Sequence, residues 1–446
     1  MGLRKDYLKA LELIESQTEA IKKQGEVIKN QDKIIENQNK IIKNLEKRIE
    51  ELERIFKEKS KPSFIKEELK ECPKQSGQKE GHKGYSRHIP ERIDEIKEHK
   101  LDTCPICGEP VSDTQEIRER IIEDIEQPKT KNTKHLVHRC YCKKCNKIVE
   151  PEIDDALPNA RFGLRLMMLI LILKLDSRIP SNKIVSLLDS VFQIKISDGE
   201  IYSVLNQLSE AFGDYYTELE QKIREALVKY IDETGWRING KNNWLWIFIN
   251  DEVALYLVRK RRNHKVPYEL LGNQEGKIVV SDRLISYDEF QKKSGCDHQI
   301  CWTHLLRNSK DLAEHYFEAK YIHKRMKFIY QKAKEGKTPM EKLLHWVDLI
   351  GSRVYTSSEV FKFVKSICRK HREDLFRFVG NPEIESTNNR AERGLRHAVV
   401  MRKISNGSRS EKGAEITGRL LSVLQTAKLQ RKDYMNFMSN LLQNPK

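Results

Sequence analysis

The chain has no apolar stretch long enough to cross a bilayer. Its longest run, Leu166 to Leu173, falls far short of the roughly 20 residues that a membrane-spanning helix needs. The N-terminus also lacks the apolar core of a secretion signal; it is polar and Lys-rich. Residues 1–58 contain no proline, and beyond Gly2 their only glycine is Gly25, so nothing there breaks a helix. Cysteine is scarce outside one short region. Of nine, five crowd between Cys104 and Cys145, and with no secretion signal that clustering points to metal binding rather than a disulfide framework. These absences lead us to expect a cytoplasmic protein with no membrane partner.

Charge is abundant and unbalanced. Lys and Arg total 82 against 66 Asp and Glu, a formal net charge of +16. That excess suits a polyanionic partner such as nucleic acid. At 446 residues the chain is long enough for several domains.

Residues 1–58 repeat. Ile14, Ile21, Ile28, Ile35, Ile42, Ile49 and Phe56 fall seven apart, each of the first six followed three residues later by Gln17, Gln24, Gln31, Gln38, Leu45 or Leu52. Heptads of this length predict a coiled coil with Ile at a and Gln or Leu at d, and hence a homodimer or higher oligomer. Residues 59–100 are polar and punctuated by Pro62, Pro73 and Pro90, as in a linker; His82, Lys83, Tyr85 and Arg87 are phosphate-contact candidates there. Residues 101–150 hold two Cys-x-x-Cys knuckles, Cys104/Cys107 and Cys142/Cys145. Four thiolates suit one tetrahedral structural Zn²⁺, as in a zinc ribbon. Cys140 is out of knuckle register, and Cys72, His135 and His138 are weaker ligand candidates.

Residues 157–225 are helical in pattern. Phe162–Leu175, Ser181–Val191 and Asp198–Phe212 read as helices, the last capped by Ser197, and the final pair is compatible with a helix-turn-helix DNA reader. Beyond residue 226 the pattern becomes strands. Leu227–Asp232, Asn243–Asn250 and Ala254–Val258 form an expected meander, followed by a short helix at Val266–Leu271, a strand Lys277–Asp282, and a strand Gln299–Trp302. Three strands, helix, strand, helix, strand is the order of an RNase H-like core, in which the first and fourth strands bring their acids together. Asp232 and Asp282 hold those places, and Glu392 is the expected third acid on a later helix. Three carboxylates suit two Mg²⁺ or Mn²⁺ ions, which prefer oxygen ligands and leave positions for phosphate and water. Glu233 should face away from Asp232 by strand alternation. Asp288, in an expected polar turn, is the weaker alternative to Asp282. His304 reads as a metal ligand or phosphate contact, and Arg390, Arg393, Arg396, Arg402 and Lys403 as phosphate-clamping candidates; Arg259–Arg262 is a second, ambiguous basic run. Residues 309–380 read as a helical insertion, with Trp346 and Tyr355 in its core, between the two parts of the catalytic core, 226–308 and 381–446.

Over nearly its whole length the chain resembles the transposases of the insertion-sequence-sixty-six family. The resemblance rests on Asp232-Glu233-Thr234 with Trp244-Leu245-Trp246, on Asp282 with Tyr287, on Cys301-Trp302-Thr303-His304 with Arg307, and on Asn388, Asn389, Glu392 and Arg393 with Arg402-Lys403 and Gln425-Thr426-Ala427 downstream. The spare Cys140 departs from the pattern. The resemblance implies an N-terminal zipper, a zinc-binding segment and an RNase H-like catalytic domain; with the helical readings above, the expected fold class is multidomain α+β: N-terminal coiled coil, zinc ribbon-like segment, helix-turn-helix-like domain, and RNase H-like α/β catalytic core with a helical insertion. It implies metal-dependent cleavage at transposon ends and strand transfer of the 3′-hydroxyl into target DNA by Asp232, Asp282 and Glu392. His304, Arg307, Asn389, Arg390, Arg393, Arg396, Arg402 and Lys403 would then contact double-stranded DNA. The alternative is a catalytically silent, transposase-derived DNA-binding regulator.

The heptads generate the first test. Deleting residues 1–58 should convert the protein to monomers in sedimentation. A truncated chain that stays dimeric places the interface elsewhere.

Overall fold

The computed structural model describes residues 2–60, 88–126 and 128–443, as two units, 1–123 and 124–446. His82, Lys83, Tyr85, Arg87 and Cys72 lie outside the described residues. In the first unit, helix α1 (Gly2–Ser60) is unbroken. The a-position isoleucines from Ile14 to Ile49 are between 51% and 68% exposed along it, an apolar seam that none of the described residues buries. The side chains of Leu52 and Phe56 are outside the described residues. Residues 88–100 form no regular element. Among the described residues no helix is long and apolar enough to cross a membrane.

The second unit begins with a small antiparallel hairpin, β1 (Cys140–Cys142) and β2 (Lys147–Val149). Helix α2 (Leu164–Leu171) runs into a π-helical turn, Ile172–Asp176. Helices α3 (Ser181–Phe192), α4 (Asp198–Ala211) and α5 (Gly213–Glu225) follow. Ser197 caps α4 as expected: its hydroxyl accepts from the Glu200 N–H while the Glu200 carboxylate accepts from the Ser197 N–H, a capping box.

Five strands make one mixed sheet: β3 (Val228–Ile238), β4 (Lys241–Ile249), β5 (Ala254–Arg259), β6 (Ile278–Ser281) and β7 (Asp297–Ile300), in the order β5-β4-β3-β6-β7. The first three pair antiparallel; β6 is parallel to β3 and β7 to β6. Helix α6 (Lys265–Leu271) links β5 to β6, and α7 (Ile285–Ser294) links β6 to β7. This arrangement is consistent with an RNase H-like core. Helices α8 (Trp302–His315), α9 (Phe317–Glu335), α10 (Met340–Gly351) and α11 (Ser358–Lys365) form the insertion, and α12 (Asn389–Ser405), α13 (Glu411–Leu429) and α14 (Tyr434–Gln443) close the chain.

Alternation along β3 sorts the sheet into two faces. Tyr230 and Trp236 pack with Leu245, Ile247 and Val280 against Ala391, Leu395 and Ala398 of α12, in a core shared with α2–α4 and α13. Ile231 packs with Trp246, Phe248 and Val279 against Leu219 and Ile223 of α5, Leu270 of α6 and Phe290 of α7. A separate core around Trp302, Met326, Val347 and Phe376 holds the insertion together. Trp346 stands 5.1 Å from Phe328, and the Tyr355 hydroxyl donates to the Ile350 carbonyl at 2.8 Å, so both serve that packing.

Three expectations need correction. The first strand does not end at Asp232; it continues to Ile238, because Asn239 and Gly240, both with positive φ, make a tight hairpin into β4. Trp302 opens helix α8 rather than closing a strand. Asp288 lies buried inside α7, not in a polar turn, where Lys370 and His371 partner its carboxylate.

After α12 the chain returns along β3. The Ser408 N–H donates to the Arg237 carbonyl at 2.8 Å, and the Ser408 carbonyl accepts from the Asn239 N–H at 2.9 Å. Gly407 permits this approach: its φ is +105°, and a Cβ there would sit 2.2 Å from the Arg237 carbonyl oxygen. Gly407→Ala should therefore destabilise the protein by about 1–3 kcal/mol, read as a lower urea midpoint with unchanged slope. An unchanged midpoint would mean that the loop can leave β3 at no cost.

Candidate active site

The parallel ladder between β3 and β6 positions two acids. Val228 pairs with Ile278 and Tyr230 with Val280. Asp232 and Asp282 each come two residues beyond that last pair, so Asp282, just past the end of β6, lies beside Asp232 within β3. Asp232 pairs with Ile247 on the face that α12 covers, whereas Glu233 pairs with Trp246 on the opposite face. The alternation expected from sequence holds here.

Glu392 reaches this end through the start of α12. The Asn388 side chain, wholly buried, donates to the Ile231 carbonyl at 2.8 Å, one residue before Asp232. Its backbone N–H donates to Cys301 Sγ at 3.1 Å, and its carbonyl accepts from the Glu392 N–H at 3.1 Å. Glu392 therefore sits one turn above a residue fixed to both β3 and the end of β7. Its Oε1 lies 3.6 Å from His304 Nδ1, too long for a hydrogen bond. Both atoms are buried without a hydrogen-bond partner. Cys301, His304 and Glu392 each offer a ligand atom within 4.8 Å of the others.

Electrostatics connect this group to the two aspartates. Burial pushes the Asp232 carboxyl from its ordinary 3.8 up to about 7; Glu233 and then Asp282 add repulsion, while the Glu233 N–H and His304 partly offset it. His304 is shifted upward, first by its hydrogen bond with Cys301 and further by the charges of Glu392 and Asp282. Asp282 accepts the Leu284 N–H at 3.1 Å, which turns the chain from β6 into α7.

Glu233 has a different task. Its Oε1 accepts from Arg262 Nε at 2.7 Å and its Oε2 from the Tyr287 hydroxyl. Arg262 in turn lies over the Trp244 ring, 4.6 Å from its centroid, so one residue of the ambiguous basic run is committed to this network. The expected phosphate-contact residues divide similarly. Arg390 is paired with Asp251 and Glu385 and lies over the Tyr230 ring. Arg402 donates to the Thr234 hydroxyl and to the Gly235 carbonyl. Arg307, Arg393, Arg396 and Lys403 are exposed, and Asn389 opens α12 partly buried.

The two cysteine knuckles are each formed. In the first unit, Gly108, with φ of +81°, turns the chain so that its N–H donates to the Cys104 carbonyl. Backbone N–H groups of Cys107 and Ile106 hold the Cys104 thiol below its ordinary pKa. In the second, N–H groups of Cys145 and Lys144 do the same for Cys142 at the β1–β2 turn. Cys140 is exposed on β1.

Sequence reasoning missed the Asn388 bridge and the Glu233–Tyr287–Arg262 network. The adjacent Asn388-Asn389 pair ahead of Glu392 was a usable signal for the first. Nothing local signals the second, because its members come from three different elements.

The raised Asp232 pKa sets a pH dependence. Between pH of about 4 and 7 the fold binds a proton that the unfolded chain releases, so without divalent cations stability falls as pH rises through that window. Asp232→Asn removes that loss. In EDTA at pH 8 the variant should be the more stable by about 1–3 kcal/mol, with the gain vanishing near pH 4. Equal thermal midpoints at pH 8 would show that burial and repulsion do not disfavour the ionised Asp232.

The sequence matches the family described as "Transposase IS66 family" over residues 159–416. A search of curated proteins finds no match. The matched span includes α2–α4, all five strands of the sheet, the insertion, and the helix that carries Glu392. The chain therefore belongs to the IS66 family of transposases.

Proposed function

We propose that the protein is a DDE-type transposase that cuts DNA at the ends of a mobile element and transfers the freed 3′-hydroxyl into target DNA. Asp232, Asp282 and Glu392 are its metal-binding catalytic residues. The observation that carries this reading is the Asp232 carboxyl beside Asp282 without a cation to neutralise the pair, with His304 under the charge of both Asp282 and Glu392. Asp232 is raised to about 7 partly by Asp282, and Glu392 Oε1 is buried with no hydrogen-bond partner. An all-oxygen set of this kind fits Mg²⁺ or Mn²⁺ better than a soft metal. Two such ions, when bound, supply nucleophile activation and stabilisation of the leaving oxygen.

The chain's own residues bind and orient. Asn388 fixes the height of Glu392 relative to Asp232. Tyr287 and Arg262 hold Glu233 on the far face, leaving Asp232 to face the site. His304, with its pKa raised, can carry a proton at Nδ1 and donate it in a hydrogen bond to a phosphate oxygen. The exposed Arg307, Arg393, Arg396 and Lys403 would meet the DNA backbone, where such contacts supply most of the affinity. Arg390 and Arg402 are better suited to positioning, since protein groups occupy their guanidinium donors. Asn389 would contact DNA at the start of α12.

The remaining assignments rest mainly on sequence. We propose one structural Zn²⁺ on Cys104, Cys107, Cys142 and Cys145, supported by the lowered thiol pKa values within each knuckle. Helices α3 and α4 are proposed as the helix-turn-helix reader of double-stranded DNA, acting on the nucleoid in the cytoplasm. The exposed Ile seam of α1 supports a homodimer, which would hold two element ends together.

Asp232→Asn, Asp282→Asn and Glu392→Gln should each lower Mg²⁺-dependent cleavage of a flanking-DNA substrate by more than about 100-fold, because each removes a direct metal ligand. Binding of the same DNA should change little. Glu233→Gln should retain measurable cleavage. Normal cleavage by Glu392→Gln together with none by Glu233→Gln would refute the triad.

A further inference from the structure

A second group of potential ligands lies between Asp282 and Glu392 in sequence and uses neither of them, nor Asp232. Asp288 of α7, His298 of β7 and His371, which follows the π-helical turn Ser366–Lys370, each offer a ligand atom within 4.8 Å of the others. All three are buried, His298 and His371 to within 2% of completely. The two imidazoles are nearly perpendicular, with centroids 6.5 Å apart.

The free atoms of this group converge while the others are held from behind. His298 Nε2 is bonded to Ser281 Oγ at 2.8 Å, which leaves Nδ1 buried with no partner. His371 Nδ1 is bonded to Asp374 Oδ2 at 3.2 Å, which leaves Nε2 facing Asp288 Oδ1 at 3.3 Å. Asp288 Oδ1 has no hydrogen bond of proper geometry, although Lys370 pairs with Oδ2. Asp374 is itself held by Gln291. An imidazole whose outer nitrogen is fixed by a carboxylate or hydroxyl while its inner nitrogen is open is the usual arrangement of a metal-bound histidine.

We propose that Asp288, His298 and His371 bind one Zn²⁺, distinct from the catalytic acids and from the cysteine knuckles. Two imidazoles and a carboxylate are a borderline donor set that suits zinc, and the burial of all three makes the role structural. The ion joins α7 and β7 to the returning end of the insertion. Through His298 and Ser281 it also braces the residue immediately before Asp282.

The test compares full-length variants for Zn²⁺ retained after dialysis in excess Mg²⁺, without DNA, so that its outcome is independent of cleavage. His298→Ala and His371→Ala should each hold one equivalent less than the unaltered chain, while Asp232→Asn holds the same amount. Asp374→Asn keeps all three ligands and should weaken that equivalent by about 10- to 100-fold; it also serves if the alanine variants fail to fold. Restoring Zn²⁺ to the stripped, unaltered protein should raise its thermal midpoint more than it does for a folded His371→Ala chain. Unchanged zinc in His298→Ala, or unchanged affinity in Asp374→Asn, would overturn the proposal and leave the group as an ionic network of Asp288, Lys370, His371 and Asp374.

Discussion

The arrangement of the candidate site depends on one buried carboxamide. Asn388 ties the beginning of α12 to the Ile231 carbonyl by its side chain and to Cys301 by its backbone. Those three contact points come from the first strand, from the end of the fifth, and from a helix far along the chain. A donor with no water around it cannot be left unsatisfied without a cost of about 1–3 kcal/mol, so the bond has little freedom to slip. Gly394, one and a half turns further on, brings the same helix close to Ile247 of β4. Glu392 lies between these two constraints. Its height is set by one and the helix-to-sheet distance by the other.

That rigidity is what allows like charges to be held together. Asp232 and Asp282 would separate if the strands were free to splay, yet the ladder behind them is parallel, buried on both faces, and continuous from β3 through β6 to β7. Burial and repulsion therefore appear as a raised pKa at Asp232 rather than as displaced backbone. The cost is local and is offset by apolar packing elsewhere in the sheet. On the opposite face the same problem is solved differently. Glu233 is buried as deeply, but Arg262 and Tyr287 satisfy both its oxygens. Adjacent carboxylates on one strand thus differ: Glu233 is paired with protein donors, while Asp232 carries a raised pKa.

Sequence periodicity made much of this legible. The apolar runs that lead to Asp232 and Asp282 are short and hydrophobic, and the capping box at Ser197 is a local hydrogen-bond pattern that needs no tertiary context. The errors came where long-range pairing overrides local signals. Asp232 looked terminal because the residues after it are polar, but pairing with β4 carries the strand six residues further, to Ile238. Asp288 looked like a surface turn residue because its neighbours are polar. Its burial depends on Lys370 and His371, some eighty positions away, which no local pattern can reveal. The two arginines bound to backbone and carboxylate partners could not be separated from the exposed ones for the same reason.

The insertion raises a geometric question, since more than a hundred residues separate Asp282 from Glu392. Closing a loop of that length costs only modestly more entropy than closing a short one, but a flexible loop would not fix Glu392 beside the sheet. The fold removes that difficulty at the base of the insertion. Its outgoing end is held where the Trp302 N–H donates to the Ser386 carbonyl, and its returning end where the Asp374 carbonyl accepts from the Ile300 N–H. The Trp302 indole donates to the Leu375 carbonyl, and the Gln299 side chain accepts from the Phe378 N–H. Both ends are thus bonded to the same few residues at the end of β7. The helices between them share an apolar core with Trp302 and Phe376 at that base. Glu392 inherits its position from that closure, so the precision of the site is independent of the length of chain that interrupts it.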